Sequence, residues 1–313
     1  MFEIVRYTAD KVEEWDAFVR QSKNGTFLFF RQYMDYHSDR FHDHSLMIYR
    51  KSRLYALLPA NEQDNTFSSH QGLTYGGLVM GQHCRAAEIR DVFSLLNSYL
   101  VSQGFQRVVY KHIPWIYPIL PSEEDLFALT NVSHAQLRTR DIASVVFLRR
   151  PLSLSTLRKR GIKKARKSGF IVEESTDFET YWQLLEETLR TRHHAAPVHS
   201  LSEMLLLHSR FPQQIRLFVV KDGQQVIGGT VLYLTSHVAK TQYIATNAKG
   251  RSCGALDELF CHLLLKFQQD GYDYFDFGTS NLVGNDDLND SLIFQKEGFG
   301  ARAVCYDTYE WTL

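Results

Sequence analysis

Asp276 and Lys296 are the side chains best placed by type and context to do chemistry. Asp276 lies near the end of Tyr272-Asp273-Tyr274-Phe275-Asp276-Phe277-Gly278, where polar and aromatic positions alternate as in a strand. A carboxylate at a strand end can orient or deprotonate an amine; its ordinary use is to bond nearby backbone N–H groups. Lys296 falls in 291–300, a short helix ended by glycine. There it can stabilise a tetrahedral oxyanion or a phosphate, unless it simply faces water. Tyr243 and Tyr75 could line an acceptor cleft, although aromatic packing is the commoner fate of such residues. Arg192, His193, His194 and His199 invite a metal reading, but no HExxH or cysteine pair accompanies them. No metal is expected. Arg192 and His193, His194 or His199 fit better as groups lining an acceptor site, Arg192 and His199 foremost.

A second kind of chemistry is phosphate binding. Tyr243-Ile244-Ala245-Thr246 ends an apolar alternating run and leads into the small, basic stretch Asn247–Ala255. A helix follows, with Leu256, Leu259, Phe260, Leu263, Leu264 and Phe267 on one face until Gly271 stops it. A helix N-terminus after such a turn offers unpaired N–H groups and a positive dipole end to a phosphate. Thr246, Asn247, Lys249, Arg251, Gly254 and Ala255 are the candidates to hold one. The other basic stretch is Arg158-Lys159-Arg160-Gly161-Ile162-Lys163-Lys164-Ala165-Arg166-Lys167. Like charges so dense disfavour a helix unless acids or a polyanion neutralise them. Arg158, Lys159, Lys163 and Lys164 are therefore candidates to bind the phosphates of tRNA or of a nucleotide-linked acceptor, against the plainer reading of a solvated face.

The elements that must position these residues fill a chain of 313 residues, long for one domain and comfortable for two. Lysine plus arginine equals aspartate plus glutamate, 35 each, so no global field favours nucleic acid or membrane and any polyanion site is local. The four cysteines are scattered, as reduced thiols of a cytosolic protein would be. Neither a signal peptide nor a membrane-spanning run is evident, which implies a cytoplasmic location.

In order, strands are expected at 2–7, 45–50, 53–60 and 105–111, with helices following Asp10 and over 86–103. Ser122 is expected to cap a helix over 123–129. Two strands, 134–140 and 144–148, precede Pro151, which places the domain boundary near residue 150. The second half reads as helix 178–192, helix 201–210 and a hairpin across Asp222-Gly223, with strands at 237–245 and 302–311 closing it. Leu95–Tyr110 and Leu263–Phe277 share one pattern: helix, then Gly-aromatic-x-x-apolar-x-aromatic. Their glycines, 104 and 271, are 167 positions apart, which points to two similar domains.

Taken together, the chain resembles the FemAB-like acyltransferases, which are built of two GNAT-type domains. The resemblance rests on the basic segment 158–167, on Asp222-Gly223 with Ile227-Gly228-Gly229-Thr230, and on Phe275-Asp276-Phe277-Gly278. Phe294-Gln295-Lys296-Glu297-Gly298-Phe299-Gly300 and, in the first half, Gly72–Leu78 extend it to nearly the whole chain. The GNAT phosphate pattern, a basic residue or Gln, two residues, Gly, one residue, then Gly or Ala, is met here only by Arg251 and Gly254. Leu256 stands at the last position. The resemblance implies an α/β (α+β) fold of two GNAT-like domains, 1–150 and 151–313, each a mixed central sheet flanked by helices, the second holding the active site. It also implies transfer of an acyl or aminoacyl group from acyl-CoA (acetyl-CoA) or aminoacyl-tRNA to an amine, such as a nucleotide-linked cell-wall or polysaccharide precursor in envelope biogenesis. Neither donor is expected as a tightly bound cofactor. In such enzymes a backbone N–H at a splayed strand polarises the carbonyl, here around Thr246 and Asn247. The alternative is a non-catalytic binding protein whose donor site has degraded.

Overall fold

The computed structural model describes residues 1–282 and 287–313, which form two compact units. One comprises Met1–Asp141 and Cys305–Leu313, the other Ile142–Val304. The chain crosses between them inside two strands, Gln136–Phe147 and Arg302–Thr312, rather than once near residue 150. Its last residues return to the first unit because Thr308–Thr312 pair antiparallel with Arg107–Lys111. The two strands expected on either side of residues 141–143 are one continuous strand.

In the first unit, Phe2–Arg6, Leu46–Arg50, Arg53–Leu58 and Val79–Met80 form an antiparallel four-stranded sheet in that order. Arg107–Lys111 runs parallel to Thr66–Ser68, which pairs in turn with Asn61–Gln63. The helix Ala86–Ser102 buries Ile89, Val92, Phe93, Leu96 and Leu100 in the core with Ile48, Ala56 and Leu58. Burial at that spacing stabilises by roughly 1.5–3 kcal/mol for each large side chain. Ser122 is not a helix cap: its hydroxyl donates to the Leu120 carbonyl, and the helix Glu124–Asn131 starts with no side-chain cap.

The second unit's sheet runs Ile171–Ser175, Ile215–Asp222, Gln225–Leu234, Val238–Thr246, Tyr274–Thr279 and then the end of Gln136–Phe147. Among the described residues of this sheet, only the pair Val238–Thr246 with Tyr274–Thr279 is parallel. Across this sheet lies the helix Ala255–Gln269, whose Leu259, Phe260, Leu263, Leu264 and Phe267 share a core with Phe218, Ile227 and Phe275. The repeated glycines do the same work in both units. Gly104 (φ +85) and Gly271 (φ +84) end their helices in the left-handed conformation, and the next N–H, of Phe105 or Tyr272, bonds back to the carbonyl of Leu100 or Phe267.

The first unit buries a histidine pair. His70 stacks on His37 with ring centroids 5.3 Å apart and planes 10° from parallel, and its Nδ1 has no partner among the described residues. Burial, helped by the positive charge of neighbouring groups, pushes the His70 pKa down to about 3. Unfolding restores the ordinary value near 6.5, so the unfolded chain binds the extra proton between those limits. Stability due to neutral His70 is thus complete above pH about 6.5 and is lost as pH falls towards 3, by up to ~1.4 kcal/mol per pH unit. Urea unfolding of wild type and His70→Asn, which suits this left-handed position (φ +62), should show a shallower loss between pH 6.5 and 4 in the variant. Equal slopes would contradict the account.

Candidate functional site

The two parallel strands of the second unit part company almost at once. They pair at Val238 with Tyr274, Ala239 with Phe275 and Lys240 with Asp276, and no further. On one side Gly278 (φ +71) turns the chain away. On the other, Val231 faces Tyr243 while Leu232 faces Thr241, so Gln242 is the extra residue of a β-bulge, a device that bends a strand and re-aims its side chains. The Tyr243 carbonyl at the bulge is satisfied by the Thr230 hydroxyl at 2.8 Å. From Thr241 onwards, the strand edge facing the gap has no strand partner there among the described residues.

Three charged side chains are buried at the vertex of this gap: Lys240, Asp276 and Lys296. Asp276 accepts the Gly278 N–H at 2.7 Å, which holds the turn. Lys296, from the helix Asp290–Glu297, donates to the carbonyls of Gly278 (2.9 Å) and Thr279 (2.7 Å) and to the Ser280 hydroxyl (2.9 Å). It is neither on a solvated face nor free to donate elsewhere. Burial lowers its pKa to about 8, with Asp276 opposing the shift and Lys240 adding to it. The neutral amine remains satisfiable, because Ser280 can reverse its hydrogen bond and donate. Lys240 sits opposite Asp276 in the register and donates to Gln242 Oε1 at 3.1 Å; burial lowers its pKa too, against the pull of Asp276. Lys240 and Gln242 were not among the candidates read from the sequence. The signal was there: a lysine amid Val238-Ala239 and Ile244-Ala245 in a strand with little solvent to offer it.

Beside the bulge, Tyr243 and His199 meet. His199 Nδ1 lies 2.5 Å from the Tyr243 hydroxyl, which also accepts the His199 backbone N–H at 3.1 Å and is reached by the Gln242 side chain. Trp182 packs edge-on against the tyrosine ring at 5.2 Å. Burial raises the Tyr243 pKa to about 12, so the hydroxyl keeps its proton at physiological pH.

The phosphate-type turn is largely committed to itself. Asn247 caps the helix Ala248–Cys253 through Gly250 N, and its own N–H donates to the Ile227 carbonyl (3.0 Å), so it cannot polarise a substrate. The Thr246 hydroxyl also donates to Ile227, Arg251 donates to the Thr246 carbonyl (2.9 Å), and Lys249 pairs with Asp222. The stretch expected as a turn holds a short helix of its own, Ala248–Cys253, and the expected helix follows as Ala255–Gln269 after Gly254 (φ +77). There the basic helix Thr156–Lys167 closes in: a Cβ on Gly254 would lie 2.5 Å from the Gly161 carbonyl. Two of its cations are neutralised, Arg158 by Asp257 (2.5 Å) and Arg166 by Glu258 (2.9 Å). Lys159, Arg160, Lys163, Lys164 and Lys167 have no carboxylate partner among the described residues. The resulting charge is a strip on the helix, beside a cavity of about 600 Å³ lined by Lys159, Lys163 and Lys167 among others.

Tyr75 is buried in the first unit, its ring against Phe29 and Tyr117 and its hydroxyl donating to Thr26. Arg192 is exposed near the end of the helix Phe178–His193, and the His193 side chain lies outside what is described. Among the described residues no group of three or more His, Cys, Asp or Glu could hold a metal, and no helix is long and apolar enough to cross a membrane.

Residues 155–287, from the basic helix past Asp276, match the family model of the acetyltransferase (GNAT) domain. No curated protein sequence matches the chain. Among solved structures, FemX aligns over 99% of this chain and 97% of its own, with a TM-score of 0.70 at 11% identity. L-PGS from Bacillus licheniformis aligns over 97% and 92%, at 0.64 and 12%. A tandem GNAT protein from the clavulanic acid biosynthesis pathway aligns over 100% and 98%, at 0.54 and 12%. The fold is therefore that of the GNAT acyltransferases. Within that class it is the two-domain, FemAB-like form that FemX also adopts.

The contact between Gly254 and Gly161 has a measurable cost when filled. Gly254→Ala should lose the ~1–2 kcal/mol of a left-handed alanine and, in addition, the cost of displacing a carbonyl. Gly271→Ala, at φ +84 with open space around it, should lose only the first. Urea unfolding that ranks the two variants equal would show that the basic helix does not press on the turn.

Proposed function

We propose that the second unit is an N-acyltransferase that moves an acyl or aminoacyl group onto an amine in the gap beyond Lys240 and Asp276. The parting of the two strands over three buried charges carries this reading. A carbonyl laid along the open strand edge meets backbone N–H groups, the cheapest way to polarise it. Lys240 and Lys296 flank the one carboxylate, Asp276, at the vertex, an arrangement that favours the oxyanion as the amine attacks. The new N–C bond forms, the C–S or C–O bond to the donor breaks, and the proton lost by the amine ends on the leaving atom. Tyr243, neutral and hydrogen-bonded to His199, is the hydroxyl placed to relay that proton. Lys296 acts as a positioning residue, holding 278–280, and Asp276 fixes the Gly278 turn. Because Arg251, Lys249 and the Asn247 N–H are already engaged, the donor's phosphates bind on the exposed cations of the helix Thr156–Lys167. Both acyl-CoA and aminoacyl-tRNA have the required chemistry.

Transfer from labelled acyl-CoA and from aminoacyl-tRNA to an amine separates the two donors. Asp276→Asn keeps an oxygen for the Gly278 N–H but removes the charge that opposes the fall in the Lys296 pKa, so activity should begin to fall at lower pH in the variant than in the wild type; an unmoved profile would refute the vertex as the site. Activity of the wild type should fall as pH rises through about 8, where Lys296 loses its charge, and Lys296→Arg, if folded, should lose that limb of the profile. Reversing Lys163 and Lys164 to glutamate should raise the donor KM about tenfold and flatten its salt dependence by roughly 0.7–0.9 in logarithmic slope per lost phosphate contact. An unchanged slope would remove the helix from donor binding. Donor binding without any transfer would make this unit a binding module instead.

A further inference from the structure

We propose that the second unit carries a further site, distinct from the gap, for a single-chain amphiphile with a phosphate monoester head. Its apolar part is a hollow of about 310 Å³ between the later turns of the helix Ala255–Gln269 and the segment that leads into the basic helix. Leu148, Leu152, Leu154, Leu264, Leu265 and Phe299 line it. That volume is at the lower end of small-molecule pockets, which share this apolar character. The side-chain amide of Gln268, also in the lining, is already engaged, donating to the Leu148 carbonyl at 2.8 Å. Leu152 and Leu265 are 49% and 51% exposed, so the hollow meets water at an apolar rim.

The polar part is the cavity of about 600 Å³ beside the basic helix. Leu154 and Cys261 line both, so the hollow adjoins the cations. Lys159, Lys163 and Lys167 recur every fourth residue, which stacks them along one side of the helix at steps of about 6 Å. Arg166 in the same lining is held by Glu258 at 2.9 Å, but the three lysines have no carboxylate partner among the described residues. Like charges in a row repel one another, and an anion set among them is attracted to all three. A carboxylate brings a single charge, whereas a phosphate monoester brings about −1.5 to −2 at neutral pH. Inorganic phosphate would leave the hollow empty and a neutral lipid would leave the row unpaired; the amphiphile satisfies both. Arg160 and Lys164 are outside the lining, on the next row of the helix, and remain open to a donor's phosphates. The site therefore does not rest on the transferase reading.

Cys261 reports on the site directly, because it is half-buried where the two parts adjoin, while Cys305 is exposed in the first unit. Dodecyl phosphate, added to the full chain below its micelle concentration, should slow alkylation of Cys261 at least fivefold and leave Cys305 unchanged, as read by peptide mass mapping. Isothermal titration should show it binding at least tenfold more tightly than laurate or inorganic phosphate. Leu265→Glu, a change at an exposed position, should weaken binding at least tenfold and abolish the protection with Tm retained, and Leu152→Glu on the facing segment should do the same. The combined change Lys159→Glu and Lys167→Glu should weaken binding as much from the other end. Laurate binding as tightly would overturn the phosphate head, and inorganic phosphate binding as tightly would overturn the apolar part. No protection of Cys261, or binding indifferent to these variants, would overturn the whole. Asp276→Asn should leave this binding unchanged, and Leu265→Glu should leave acyl transfer unchanged, so failure here is distinct from failure of the transferase reading.

Discussion

The acyl transfer proposed for the second unit depends on the burial of Lys240, Asp276 and Lys296 where two parallel strands separate. Charges are costly to bury and tolerated only when each is hydrogen-bonded. Here the bonds are spent on the irregular backbone itself: Asp276 on the Gly278 N–H, Lys296 on two carbonyls and a hydroxyl, Lys240 on the bulged Gln242. Opening a sheet leaves polar groups without partners, and buried charged side chains are the strongest partners available to hold them. The gap and the charges therefore explain each other.

Much of this architecture was legible because local rules and tertiary structure agree. Periodicity located the helix Ala255–Gln269, and the repeated glycine signature foretold two units with identical helix ends. Other features could not be read. The boundary lies inside strands, since pairing of the last strand with Arg107–Lys111 is a long-range choice. Ser122 had the right type for a cap but found a nearer carbonyl. Asp276 and Lys296 were nominated by residue type, while Lys240 and Gln242 escaped because a bulge is invisible to a period of two. His199 and Tyr243, far apart in sequence and nominated separately, proved to be hydrogen-bonded partners.

The motif residues in the strand Gln225–Leu234 show how sequence signatures acquire meaning. Gly229 has no room for a Cβ, which would lie 2.7 Å from the Phe218 carbonyl and 2.9 Å from the Tyr181 ring. Thr230 supplies the hydroxyl for the bulge, and Ile227 offers the carbonyl that receives both Asn247 and Thr246. The motif is thus a scaffold for the neighbouring strand. Its residues shape the gap without entering it.

The glycine-to-glycine contact between Thr156–Lys167 and Ala255–Gln269 has a consequence in terms of length. Two helices that touch through backbone, pinned further by Arg158–Asp257 and Arg166–Glu258, cannot slide along one another. The charged strip on one is then a fixed distance from the gap served by the other, like two marks on a ruler. Under the reading proposed above, a donor is measured as well as recognised: its phosphates must reach the strip while its acyl carbon reaches the gap, and a shorter or longer tether fails however well its ends fit.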